Sequence, residues 1–164
     1  MSTLDTLPFV DGIGVLLSIG RQAVANGDLP AGLHVRSKLE DGLGEDLPML
    51  VINRTGGASD RPEFASDFFV HFQVWSDKDP TDPNYPDDPF DAAKKLAQKV
   101  ATVYYRAWRK QTPGLDPDGH ILGWINQWRE SSGFQDFTDP DFPHIGRYVA
   151  VYDLKIRNRR PSSS

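Results

Sequence analysis

The densest run of metal-ligand side chains lies between Asp77 and Asp91, which holds six aspartates and four prolines. Hard cations want several carboxylate oxygens, so Asp77, Asp79, Asp87 and Asp88 are the possible calcium ligands. The spacing of a helix-loop-helix calcium loop is absent, with no glycine at the sharp turn and no closing glutamate. Pro80, Pro83, Pro86 and Pro89 recur every three residues, a period that suits an extended polyproline II segment. A solvated acidic segment leading into a helix is the better reading.

The other chemical candidates are scattered. His34, His71, His120 and His144 lie far apart, without the paired spacing of a zinc site. Ser66, Ser76 and Ser131 lack a nucleophile-elbow context. Arg54-Thr55-Gly56-Gly57 offers backbone N–H groups to a phosphate, but has no P-loop lysine and opens no helix. Its simpler reading is a strand end and turn. Lys155, Arg157, Arg159 and Arg160 form a small basic cluster, and Trp75, Trp124 and Trp128 add aromatic surface. Basic groups with aromatics can hold single strands, yet tryptophan and arginine are also enriched at protein–protein hot spots. No catalytic residue, metal site or cofactor is assigned.

Composition narrows the field further. The net charge of −5 argues against a protein that coats nucleic acid. The absence of cysteine excludes disulfides, thiolate nucleophiles and Cys-based zinc sites. Met1 to Asp11 does not read as a signal peptide, and no apolar run nears the ~20 residues that span a bilayer. At 164 residues the chain suits one domain.

The elements that would position these residues alternate between two periods. Residues 11–26 form a predicted first helix, with Ile13, Leu16, Leu17 and Val24 at helical spacing, Asp11 at its start and Asn26-Gly27 at its stop. Leu33 to Leu39 alternates as a strand, and Met49 to Asn53 follows as a second. Phe68, Val70, Phe72 and Val74 face one way on a third, with Phe69, His71, Gln73 and Trp75 opposite. Aromatics on both faces place that strand centrally. The main helix is predicted over 89–110, with Ala93, Leu96, Ala97, Val100, Tyr104 and Ala107 as its apolar stripe. Asp88 and Pro89 supply its start, and the turn from Thr112 to Gly119 ends it.

His120 to Arg129 alternates as a fourth strand, with Leu122, Trp124, Asn126 and Trp128 on one face. Arg147 to Arg157 is a fifth, with Tyr148, Ala150, Tyr152, Leu154 and Ile156 together. The Phe- and Pro-rich stretch between them is expected to be a hairpin extension or ordered loop, of the kind often packed on a partner. The expectation is therefore an α+β fold: one domain over 1–157, a largely antiparallel or mixed sheet of about five strands, two main helices, and a disordered tail at 158–164.

Local patterns along this order resemble those of one family. They are the Leu47-Pro48 apolar strand ending in Arg54-Thr55-Gly56-Gly57, the strand end Val74-Trp75-Ser76-Asp77, the Ala92-Ala93 helix start and the closing Gly146-Arg147-Tyr148 strand. From about Asp11 to Arg157 the chain resembles the tail terminator proteins of long-tailed, siphovirus-type bacteriophages. The resemblance implies a virion structural protein without catalysis, placed at the tail–neck junction after synthesis in the host cytoplasm. It implies a homohexameric ring that caps the tail tube, stops its polymerisation and offers a surface for head–tail joining. Implied partners are further copies of the chain, the major tail tube protein and the head–tail connector or neck protein. DNA at most passes through the ring lumen. The chain departs from the family at Lys78 to Asp88 and at Gly133 to His144. Another neck or head-completion protein is the nearest alternative; a nucleic-acid-binding accessory protein or small host-directed enzyme represents a different class.

A ring requires two different patches on each subunit. Charge here is segregated, acidic over 77–91 and basic on the exposed side of the main helix and the last strand. The candidate ring-interface residues are Asp87, Asp88, Lys95, Lys99 and Arg106, with Trp124, Trp128 and Arg157; the alternative is two solvated surfaces that never meet.

Overall fold

Helix α2 (Pro89–Lys110) organises the core, because its small and apolar stripe lets it lie close on a sheet. Ala93, Ala97, Val100 and Tyr104 are almost wholly buried along it. The computed structural model describes residues 11–39, 46–56, 65–77, 89–142 and 144–158. Around α2 stand α1 (Gly12–Asn26), β1 (His34–Arg36), β2 (Met49–Gly56), β3 (Ala65–Ser76), β4 (Gly114–Leu115), β5 (Ile121–Asp136) and β6 (Gly146–Asn158). The strands form one six-stranded sheet in the order β1-β2-β3-β6-β5-β4. All described neighbours are antiparallel except β1 and β2, which run parallel. The fold is α+β with a mixed sheet and two helices, as the sequence indicates. The sixth strand is β4, a two-residue pairing within the stretch expected to be a turn.

Strand β3 is central, as its two-sided aromatics suggest. Val70, Phe72 and Val74 are fully buried on one face, with Ala150, Tyr152, Leu154 and Ile156 of β6 alongside. Four aromatic rings knit this layer to α2. Phe72 meets Tyr104, Trp128 and Tyr152 edge-on at 4.9, 5.6 and 5.4 Å, and Trp128 stacks on Tyr152 at 4.0 Å. Edge-to-face and offset geometries of this kind stabilise by ~1 kcal/mol per pair beyond the buried area.

Helix α1 bridges both edges of the sheet. The Ser18 hydroxyl accepts from the Leu115 backbone N–H at 2.7 Å, and the Gln22 amide donates to the Pro113 carbonyl at 2.9 Å. On the other edge the Arg21 guanidinium donates to the Val35 carbonyl at 3.1 Å. The sheet therefore curls until its first and last strands meet the same helix. Exposed sheet edges invite pairing with other chains, and here both edge strands are short and tied to α1.

Four details differ from expectation. β1 is confined to His34–Arg36, where it pairs with Met49 to Val51. The buried stripe of α1 runs through Val15, Leu16, Ile19, Gly20 and Ala23, while Ile13, Leu17 and Val24 flank it. β5 runs past its expected end at Arg129 to Asp136, as the hairpin-extension reading of the Phe-rich stretch would have it. Asn158, expected in the tail, closes β6; the rest of that tail lies outside the described residues.

Candidate functional site

The four histidines stay apart: His34 on β1, His71 on β3, His120 before β5 and His144 before β6. Ser76 is buried and Ser131 exposed. Ser66 lies on β3, and its side chain is outside the description. Arg54 and Thr55 sit on β2, which runs to Gly56, so the strand-end reading holds. Asp77 directly follows β3, whereas Asp79, Asp87, Asp88, Arg159 and Arg160 lie outside the described residues. The calcium reading and the acidic half of the expected interface therefore have no structural account.

One cluster went unnoticed in the sequence. Asp116, Asp118 and His120 bring one potential ligand atom each within 4.8 Å of one another. Asp116 Oδ1 accepts from the backbone N–H groups of Asp118 and His120 at 2.9 and 2.8 Å, and Oδ2 lies 3.3 Å from His120 Nδ1. The backbone donor of His120, above all, holds the Asp116 carboxyl below its usual range. The arrangement is an aspartate-braced turn at the entry to β5, with its carboxylate already spent on that turn.

The remaining features are surfaces. On the helix side an open groove runs between the end of α1 and α2. One part, of ≈ 470 Å³, is lined by Asp28, Lys95, Lys99, Val103 and Arg106. An adjoining part, of ≈ 270 Å³, adds Ala23, Ala107 and Lys110. The expected interface residues Lys95, Lys99 and Arg106 thus share one wall. Helical spacing explains this, since positions three and four apart stack along one face.

The β5–β6 hairpin tip is a second surface. Phe137 and Phe142 are 52% and 45% exposed, high values for phenylalanine. The loop that carries them is braced. Phe137 donates its backbone N–H to the Arg147 carbonyl at 2.8 Å, and the Phe142 N–H reaches the Asp139 carbonyl at 2.9 Å. Asp136 Oδ1 accepts from both the backbone N–H and the hydroxyl of Thr138, and Asp139 Oδ1 from the Asp141 N–H. Aspartates that close such turns are a known local device.

The sheet face away from the helices carries a polar ladder across three strands. Arg147 donates to Gln73 at 2.9 Å and lies 4.8 Å over the Trp75 ring, while Gln73 donates to Asn53 at 3.4 Å. Lys155 pairs with Asp67 at 3.7 Å. On this face Arg157 lies 5.1 Å over Trp124, so these two expected interface residues are neighbours.

Trp128 departs from them: it does not share a face with Trp124, as strict alternation predicts, but turns to the helix side while remaining partly exposed. The register of β5 against β6 slips between Ile125 and Gln127. A bulge there inserts one residue and reverses the alternation beyond it. Trp124 is left on the outer face while Ile125 and Trp128 both pack into the core. No feature of the local sequence announces that bulge.

Among the described residues no helix is long and apolar enough to cross a membrane. No protein-family model matches the chain, and no curated protein matches it. Among solved structures the chain is similar to a component of the virion of a native gene transfer agent particle, with a TM-score of 0.51 and 14% identity. The superposition covers 88% of this chain and 96% of that one. At this identity the likeness is one of fold.

Proposed function

We propose that this chain is a phage virion structural protein, a tail terminator whose ring caps the tail tube, stops its growth and joins it to the head. The observation that carries the reading is the near end-to-end fold likeness to a virion component, over 88% and 96% of the two chains. The surfaces support it. The described residues hold exposed phenylalanines on a braced arm and a cation-lined groove, features suited to assembly. Their one ligand-type cluster is a turn brace. In this reading the protein acts by shape and contact: it occupies the growing end of the tube, so no further tube subunit can add. Its partners are copies of itself in a hexameric ring, the major tail tube protein and the neck or connector protein.

Electron microscopy of particles assembled without this gene tests the proposal. Filled heads with unattached tubes of irregular length are expected. Tubes of normal length that merely fail to join heads would assign the protein to the neck instead. Intact particles would remove it from both roles.

A further inference from the structure

The hairpin tip and the α1–α2 groove are complementary in charge, with an apolar contact available at Val103. The groove presents a small apolar strip at Val103, with Ala23 and Ala107 almost buried beside it, between Asp28 and a row of cations. Of these, Lys99, Arg106 and Lys110 have no ion-pair partner among the described residues. The tip offers the reverse: Phe137 and Phe142 half exposed, set among Asp136, Asp139 and Asp141, none of them ion-paired to a described residue. No tip residue lines the groove of its own chain.

We propose that the β5–β6 tip of one copy docks in the α1–α2 groove of the next, the phenylalanines against Val103 and the aspartates against Lys99, Arg106 and Lys110. The occupant is a second copy because each chain carries one tip and one matching groove on different surfaces. That is the requirement for a heterologous contact, which closes into a ring when the rotation between neighbours permits. The phenylalanines supply affinity at little ordering cost, since the loop is already braced by its own backbone bonds. The charges fix register and exclude a tip-to-tip or groove-to-groove encounter. This contact deepens the ring reading and rests on it.

The test measures self-association of the full chain by analytical ultracentrifugation across protein concentration, at low and high salt. Two one-sided variants are compared with the parent chain: Phe137→Ser with Phe142→Ser on the tip, and Lys99→Glu with Arg106→Glu in the groove. All four positions lie on the surface or its margin, and circular dichroism verifies folding. Each variant alone should associate roughly tenfold or more weakly, the scale of losing an interface anchor. The groove variant should be weakened most at low salt, where screening is least. Mixed together, the two variants should give 1:1 dimers and nothing larger, because only one intact tip and one intact groove remain per pair. Adding Asp141→Lys to the groove variant, which leaves the Asp139 carboxylate in place as the loop brace, should recover part of the lost assembly. Rings that form undiminished in both one-sided variants would overturn this contact and leave the ring reading standing. A parent chain that stays monomeric at every concentration would overturn both.

Discussion

The Tyr104 hydroxyl donates a 2.6 Å hydrogen bond to the Leu16 carbonyl oxygen, pinning the middle of α2 to α1 inside the core. Tyr104 has no exposed surface, so its polar tip must be satisfied there. The Leu16 carbonyl lies within α1 and keeps its helical donor if the tyrosine loses its hydroxyl. Tyr104→Phe should therefore cost only ~1 kcal/mol, the net worth of one such bond. Urea unfolding should show a lower midpoint with an unchanged slope. An unmoved midpoint would mean that ring packing alone holds the two helices together.

Gly20 is what lets that bond form. A Cβ at this position would lie 2.8 Å from the Tyr104 hydroxyl and 3.0 Å from a Val35 methyl. Alanine raises helix propensity by ~1 kcal/mol over glycine, but overpacking in a core costs about 1–3 kcal/mol. Gly20→Ala should be destabilising on balance. In a double-mutant cycle with Tyr104→Phe, part of the loss should return, because the nearest clashing atom is gone. Strict additivity would place the strain on Val35 instead.

Alkaline pH should weaken the fold through its buried tyrosines. Burial pushes the Tyr104 hydroxyl far above its ordinary value. Burial, and secondarily the Glu130 carboxylate, raise Tyr152 to about 12. In the unfolded chain both ionise near ~10. Their stabilising contribution is complete below that pH and is lost as pH climbs toward the folded values, because the unfolded state then binds fewer protons. Urea midpoints should fall between pH ~10 and ~12, and fall less steeply in Tyr152→Phe. Parallel pH slopes in the two proteins would exclude Tyr152 as a contributor.

Regular periodicity was legible in the sequence, and interruptions to it were not. The α2 stripe, the central place of β3 and the inward row on β6 each follow from an unbroken period of 3.6 or 2. Gly12, Gly14 and Gly20 lower helix propensity in α1, yet Gly20 is required by a side chain arriving from α2. Contacts that distant leave no local trace. The parallel pairing of β1 with β2 is likewise a tertiary choice, since a three-residue strand carries no mark of direction. Lys95, Lys99 and Arg106 could be placed on one wall because helical spacing alone determines it. Trp124 and Trp128 could not be separated, because a bulge moves every side chain beyond it to the other face.

Those two tryptophans make the bulge measurable. Trp128 stacks against both Tyr152 and Tyr104, at 4.0 and 5.7 Å, and meets the edge of Phe72. Trp124 instead has Arg157 lying over its ring on the outer face. Trp128→Ala should open a cavity in the aromatic layer and cost ~3–5 kcal/mol. Trp124→Ala should forfeit a partly exposed cation–π contact, ~1 kcal/mol or less. Both changes remove the same side chain from the same strand, so the propensity of β5 cancels between them. Urea midpoints of the two variants, read at equal slope, should therefore differ several-fold in their shift from the parent. Equal shifts would mean that β5 keeps strict alternation through Asn126, with both rings on one face and the core aromatic layer lacking Trp128.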